Sequence, residues 1–189
     1  MKGVIDSFQF LEENGFRIAK WKILDDEKGL SEFSFPFYLK ADIADHKTEK
    51  KAVLKCNNFN DAKENFKLLR ENFSEKIIVM EAIDGQEMIV GIKPDAVFEK
   101  LLLIGFGGIN VSVLKDVQFR AIPVTKDEIE EAVRDLKFYK ALVGRKKYAV
   151  DKFIDLAFEV SKLDVLELDL NPVILTEDDV FIVDARVEN

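Results

Sequence analysis

Apolar residues at helical spacing open the chain. Ile5, Phe8 and Leu11 share one side of Val4 to Glu13, and Asn14-Gly15 supplies a C-cap signal, so an amphipathic helix is predicted there. Phe16 to Leu24 reads as a strand. Pro36 opens a short apolar strand, Phe37 to Leu39, that delivers Lys40, and another strand begins at Ala52 to Lys55. Asn60 to Phe73 has a helical pattern. Ile77 to Met80 and Glu87 to Ile92 read as strands, and the Asp84-Gly85 between them is a hairpin-turn signal. Leu101 to Ile104 is an apolar strand, and Val111, Val113 and Val117 alternate as a strand does. Helices are predicted over Lys126 to Tyr139 and Val150 to Lys162.

The C-terminal segment has the clearest period of two. In Leu166-Glu-Leu-Asp-Leu-Asn-Pro172 the leucines face one side while Glu167, Asp169 and Asn171 share the other. Val180 to Val187 forms a second strand. With Thr176 to Asp179 as the hairpin loop, Leu175 pairs with Val180, and the same register sets Asn171 opposite Asp184 and Asp169 opposite Arg186. Cross-strand Cβ atoms lie about 5 Å apart, so one ion could bridge the Asn171 oxygen and the Asp184 carboxylate. Oxygen donors without Cys or a second His suit Mg²⁺ rather than zinc. The alternative is a solvated sheet face with an Asp169–Arg186 pair. Interleaved strands and helices place the chain in the α/β (α+β) class, with partly antiparallel sheets.

Composition narrows the function. The chain has 189 residues, 48% of them hydrophobic, and 16 phenylalanines, enough for one compact domain or two small lobes. A formal net charge of −8 argues against nucleic-acid binding and against a polybasic membrane anchor. No window approaches the roughly 18 apolar residues of a membrane span. A single cysteine, Cys56, excludes an intramolecular disulfide, and Met1 to Phe10 has no apolar run of signal-peptide length, which points to a cytoplasmic protein.

Two segments carry candidate chemistry. Lys40-Ala-Asp-Ile-Ala-Asp-His-Lys-Thr-Glu49 holds the only histidine, His46, among lysines and carboxylates. A neutral imidazole can carry a phosphoryl group while neighbouring lysines neutralise it; an incidental surface histidine is the alternative. In Leu101-Leu-Leu-Ile-Gly-Phe-Gly-Gly108, Gly105, Gly107 and Gly108 would let backbone amides approach a phosphate, or would serve a tight turn. Lys115, Asp116 and Arg120 add charge beside that turn.

Taken in order, His46-Lys-Thr-Glu, Gly91-Ile-Lys-Pro-Asp95, Gly105-Phe-Gly-Gly-Ile109, Leu114-Lys-Asp-Val-Gln-Phe-Arg120, Glu167-Leu-Asp-Leu-Asn-Pro172 and Val183-Asp-Ala-Arg-Val187 resemble the ATP-grasp β subunit of ADP-forming acetate-CoA ligases. The resemblance implies an ATP-grasp fold of two lobes, residues 24–83 and 84–189 with residues 1–23 packing on the second, and mixed or antiparallel sheets flanked by helices. It implies ATP/ADP and Mg²⁺ as cofactors and a CoA-binding α subunit as partner, in a heterotetramer. The reaction would be acyl-CoA + ADP + phosphate ⇌ acid + ATP + CoA. His46 falls on the histidine that ferries the phosphoryl group to ADP. Lys40 and Glu87 match nucleotide-side residues, Asn171 and Asp184 match magnesium ligands, and Asp169 matches an acidic position supporting the histidine or the metal.

The chain departs from that pattern at Lys51-Ala52, where Gly-Gly is usual, at Glu99-Lys100 in place of Gly-Pro, and at Ser112 in place of glutamate. A diverged nucleotide-binding or regulatory subunit, and an ATP-grasp ligase that forms an acyl phosphate directly, are the alternative functions.

Overall fold

The computed structural model describes residues 2–43, 52–74, 76–108, 115–144 and 146–189. The chain divides into two compact units, Lys2–Ile83 and Asp84–Asn189.

In the first unit, helix α1 (Val4–Glu13) buries Val4, Ile5, Phe8 and Leu11 along one face. Strands β1 (Trp21–Leu24), β2 (Phe37–Ala41), β3 (Val53–Cys56) and β4 (Ile77–Glu81) form an antiparallel sheet in the order β1-β4-β2-β3. Helix α2 (Phe59–Asn72) is capped by Asn58, whose side chain accepts the Asp61 N–H, and it buries Ala62, Phe66 and Leu69 in a core with Phe37, Leu39 and Val79. The predicted strand from Phe16 starts only at Trp21. The Phe16 N–H is already spent on the Leu11 carbonyl at the end of α1, 2.9 Å away.

Residues 2–23 belong to this unit, which corrects the expectation that they pack on the C-terminal lobe. The Asp42 carboxylate accepts the Ile5 N–H at the start of α1, the Phe8 and Trp21 rings meet at 5.2 Å, and β1 pairs with β4. Asp84-Gly85 is also not a hairpin. Both edges of β4 are taken, by β1 and β2, so the chain leaves the sheet there and starts the second one.

The second unit contains β5 (Gln86–Asp95), β6 (Glu99–Phe106), β7 (Val117–Ala121), α3 (Lys126–Arg134), α4 (Tyr139–Val143), α5 (Val150–Ser161), β8 (Glu167–Leu175), β9 (Val180–Ile182) and β10 (Arg186–Glu188). Its antiparallel sheet runs β10-β8-β5-β6-β7, with β9 also on β8. Met88, Val90, Ile92, Leu102, Ile104, Leu168 and Leu170 are fully buried, as are Phe153, Ala157 and Val160 of α5 and Ile129 and Ala132 of α3. The opposite face carries Glu87, Lys93, Glu167 and Asp169, so strand alternation separates a core face from a polar one. Thr125 and Glu128 form a capping box at the start of α3. The helix predicted to reach Tyr139 stops at Arg134, because the Lys137 and Phe138 amides turn to the side chain of Asp116 instead of continuing the helical ladder.

Candidate functional site on the C-terminal sheet

The β8 hairpin sets the register of the site. Thr176 closes its loop by donating its N–H to the Asp179 carbonyl at 2.8 Å and accepting the Asp179 N–H at its hydroxyl, 2.9 Å. Leu175 then pairs with Val180 and Val173 with Ile182; further along, Asp169 pairs with Arg186. The register is the same on both sides of an interruption at Val183–Ala185, so the predicted single strand from Val180 to Val187 is split in two. Asn171 and Asp184 occupy matching register positions within that interruption, and each is half-buried.

The break follows from Pro172, which has no N–H to give to a ladder. The peptide joining it to Asn171 is cis. On the other edge of β8 the pairing with β5 shifts by one residue between Met88 and Val90, a bulge that takes up Asn171-Pro172.

The glycine turn meets the same point. Gly105 pairs with Ile89 and Val117 at the end of β6. Gly107 donates its N–H to the Glu87 carbonyl at 2.9 Å, and a Cβ there would stand 2.3 Å from the Met88 oxygen. Gly108 has φ +72°, and a Cβ would fall 1.4 Å from a Glu87 carboxylate oxygen. The Gly108 N–H donates to the Asn171 Oδ1 at 3.1 Å. Glu87, Gly107, Gly108 and Asn171 therefore converge; the left-handed backbone at 108 favours glycine, and the Glu87 carboxylate occupies the space a Cβ there would take.

Polar groups continue along this face. Lys93 is paired with Glu167, and Asp169 stands between Gly91 on β5 and Arg186 on β10. Arg186 is 4% exposed. The charges next to the turn do something other than offer themselves to a phosphate. Asp116 is buried and takes the backbone N–H groups of Lys137 and Phe138, and Arg120 pairs with Asp135 at 3.5 Å. The sequence showed Asp116 only as a charge beside a glycine run; its burial was not readable from that position. The Gly108–Asn171 tether was likewise missed, because nothing in local sequence joins the two.

In the N-terminal unit, Lys40 lies on β2 between Val53 and Ile78, is 6% exposed, and has its Nζ 6.0 Å from the centre of the Phe8 ring. His46 lies outside the described residues, as do Lys47, Lys51 and Ser112.

Asn171 and Asp184 fit Mg²⁺, a hard cation that takes oxygen ligands. Among the described residues no group of three or more His, Cys, Asp or Glu could hold a metal ion. Among the described residues no helix is long and apolar enough to cross a membrane.

Residues 4–188 match the ATP-grasp domain family. The chain belongs to the ATP-grasp family. It is 35% identical over 200 residues to an ADP-forming acetate-CoA ligase I of Archaeoglobus fulgidus, covering 94% of this chain and 29% of the relative. It is 29% identical over 203 residues to the acetate-CoA ligase I (ADP-forming) subunit beta of Pyrococcus furiosus, covering 95% of this chain and 88% of that subunit. A crystal structure of PH1788 from Pyrococcus horikoshii Ot3 superimposes with a TM-score of 0.86 at 27% identity, over 99% of this chain and 91% of that one. The chain thus spans less than a third of the Archaeoglobus ligase and most of the Pyrococcus subunit.

Proposed function

We propose that this chain is the nucleotide-binding β subunit of an ADP-forming acyl-CoA ligase of the acetate-CoA type. It would work with a CoA-binding α subunit, in a heterotetramer, to interconvert acyl-CoA, ADP and phosphate with the free acid, CoA and ATP. The observation that carries this reading is the Gly108–Asn171 tether on the sheet of an ATP-grasp protein, with Asp184 at the register position that matches Asn171 in the β8 hairpin. Likeness to a Pyrococcus furiosus subunit beta of matching length supports the division of labour between two chains.

In this reading Asn171 and Asp184 hold the Mg²⁺ that neutralises the nucleotide phosphates. Lys40 and Glu87 contact the nucleotide, and the amides of the Gly105–Gly108 turn orient its phosphates. His46 accepts the phosphoryl group and passes it to ADP, and Asp169 supports His46 or the metal. Phosphoryl transfer asks mostly for alignment and charge neutralisation, and fixed backbone amides and hard oxygens supply both.

Calorimetry with Mg-ADP tests the metal assignment. Asp184→Asn is expected to weaken Mg-ADP binding by about 10-fold or more, the scale of a lost charge-assisted contact, with the fold unchanged. Unchanged affinity overturns the assignment. Acyl-CoA-dependent ATP synthesis is expected only when the CoA-binding partner is added, and robust turnover by the isolated chain would refute the division of labour.

A further inference from the structure

Asp116 is a carboxylate only 2% exposed to solvent, in a position where an apolar side chain would avoid the cost of desolvation. Its two oxygens are committed separately. Oδ1 accepts the Lys137 N–H at 2.9 Å and Oδ2 accepts the Phe138 N–H at 3.0 Å. Both amides lie in the connection between α3 and α4. Gln118 and Arg120 reach the same connection: the Gln118 amide donates to the Asp135 carbonyl at 3.3 Å, and Arg120 pairs with the Asp135 carboxylate. Positions 116, 118 and 120 alternate, so one side of the β7 segment grips residues 135–138.

The backbone of Asp116 faces the glycine turn. Its carbonyl accepts the Phe106 N–H at 3.1 Å, and the Phe106 ring meets the Phe138 ring edge-on at 6.1 Å. Phe106 is followed directly by Gly107, bound to the Glu87 carbonyl, and by Gly108, bound to Asn171. Asp116 therefore links the α3–α4 connection, through its side chain, to the glycine turn, through its main chain. Glycines hold no conformation of their own, so a turn built from them depends on such external ties.

We propose that Asp116 is a positioning residue that fixes the Gly105–Gly108 turn, and through Gly108 the Asn171 oxygen, for Mg-ADP; the last step rests on the nucleotide-binding function proposed above. Asp116 touches neither nucleotide nor metal in this scheme. It acts by clasping the connection at Lys137 and Phe138, so that Phe106 and the two glycines after it cannot shift.

The test uses the full chain with Asp116→Asn, which keeps one acceptor oxygen but turns an NH₂ toward the second backbone N–H, and with Phe138→Leu, which keeps the carboxylate and removes the ring contact. Amide exchange of Gly108 is followed in nucleotide-free protein, and Mg-ADP binding is measured by calorimetry. Asp116→Asn is expected to speed Gly108 exchange and to weaken Mg-ADP each by about tenfold, the scale of one lost hydrogen bond to a charged group, with a smaller effect from Phe138→Leu. In an Asn171→Ala background, adding Asp116→Asn is expected to cost little further affinity, because the tether it supports is already absent. A folded Asp116→Asn protein with parental Gly108 exchange overturns the proposal, and so do fully additive losses in the double variant. If the parent protein binds no Mg-ADP while Asp116→Asn still speeds Gly108 exchange, the clasp stands and the nucleotide reading falls.

Discussion

The Asn171 side-chain oxygen accepts the Gly108 backbone N–H at 3.1 Å, joining points 63 residues apart. The same amide side chain that is proposed to offer an oxygen to the metal thus anchors the turn proposed to bind phosphate. An amide oxygen has two lone pairs, so the two duties are compatible.

Gly108→Ala should damage this arrangement directly. A left-handed backbone costs a non-glycine residue about 1–2 kcal/mol, and the new Cβ must also displace the Glu87 carboxylate. A drop of that size in the urea-unfolding free energy is expected, together with weaker Mg-ADP binding. Parental stability would mean that the turn is free to rearrange.

Glu99 presents the reverse case. It has φ +62° in a position where the family resemblance expects glycine. Glu99→Gly is expected to stabilise the protein by up to about 1 kcal/mol, the relief of left-handed strain exceeding the entropy glycine gains in the unfolded chain. The urea midpoint should rise with an unchanged slope; a fall would show that the Glu99 side chain contributes more than its backbone costs.

The α3 capping box should leave a pH signature. The Thr125 backbone N–H, and then its hydroxyl, hold the Glu128 carboxyl below its ordinary value. The charged form is favoured in the folded state, so its contribution is full above the unfolded carboxylate range and is lost as pH falls through the lowered folded value. Thermal unfolding of Glu128→Gln should therefore lie below the parent by a constant margin near neutral pH, and that margin should shrink below about pH 4. A margin independent of pH would show that the carboxylate charge is not involved.

His46 is the one histidine in the chain, and its proposed role follows from sequence resemblance. With a CoA-binding partner and acyl phosphate, the protein is expected to acquire an acid-labile, base-stable phosphoryl label. His46→Asn should abolish the label and ATP formation while ADP binding persists. ATP formation at the parental rate in that variant would favour direct transfer from acyl phosphate or from the partner. Absence of label in an ADP-binding parent would favour a diverged, regulatory subunit.

Local patterning in the sequence determined the elements and much of one ladder. The apolar face of Val4–Glu13 and the loop Thr176–Asp179 were legible because helix period and hairpin length are short-range properties. The same register places Asp169 opposite Arg186 and sets Asn171 level with Asp184. What only the tertiary structure decided depends on partners distant in the chain. Asp84-Gly85 has the chemistry of a hairpin, yet the two neighbours of β4 occupy the edges a hairpin would need. The gap at Val183–Ala185, the burial of Asp116 and the Gly108–Asn171 bond likewise depend on which backbone groups remain unpaired once the sheet is assembled, and a hydrogen bond between residues 63 positions apart leaves no mark in local sequence.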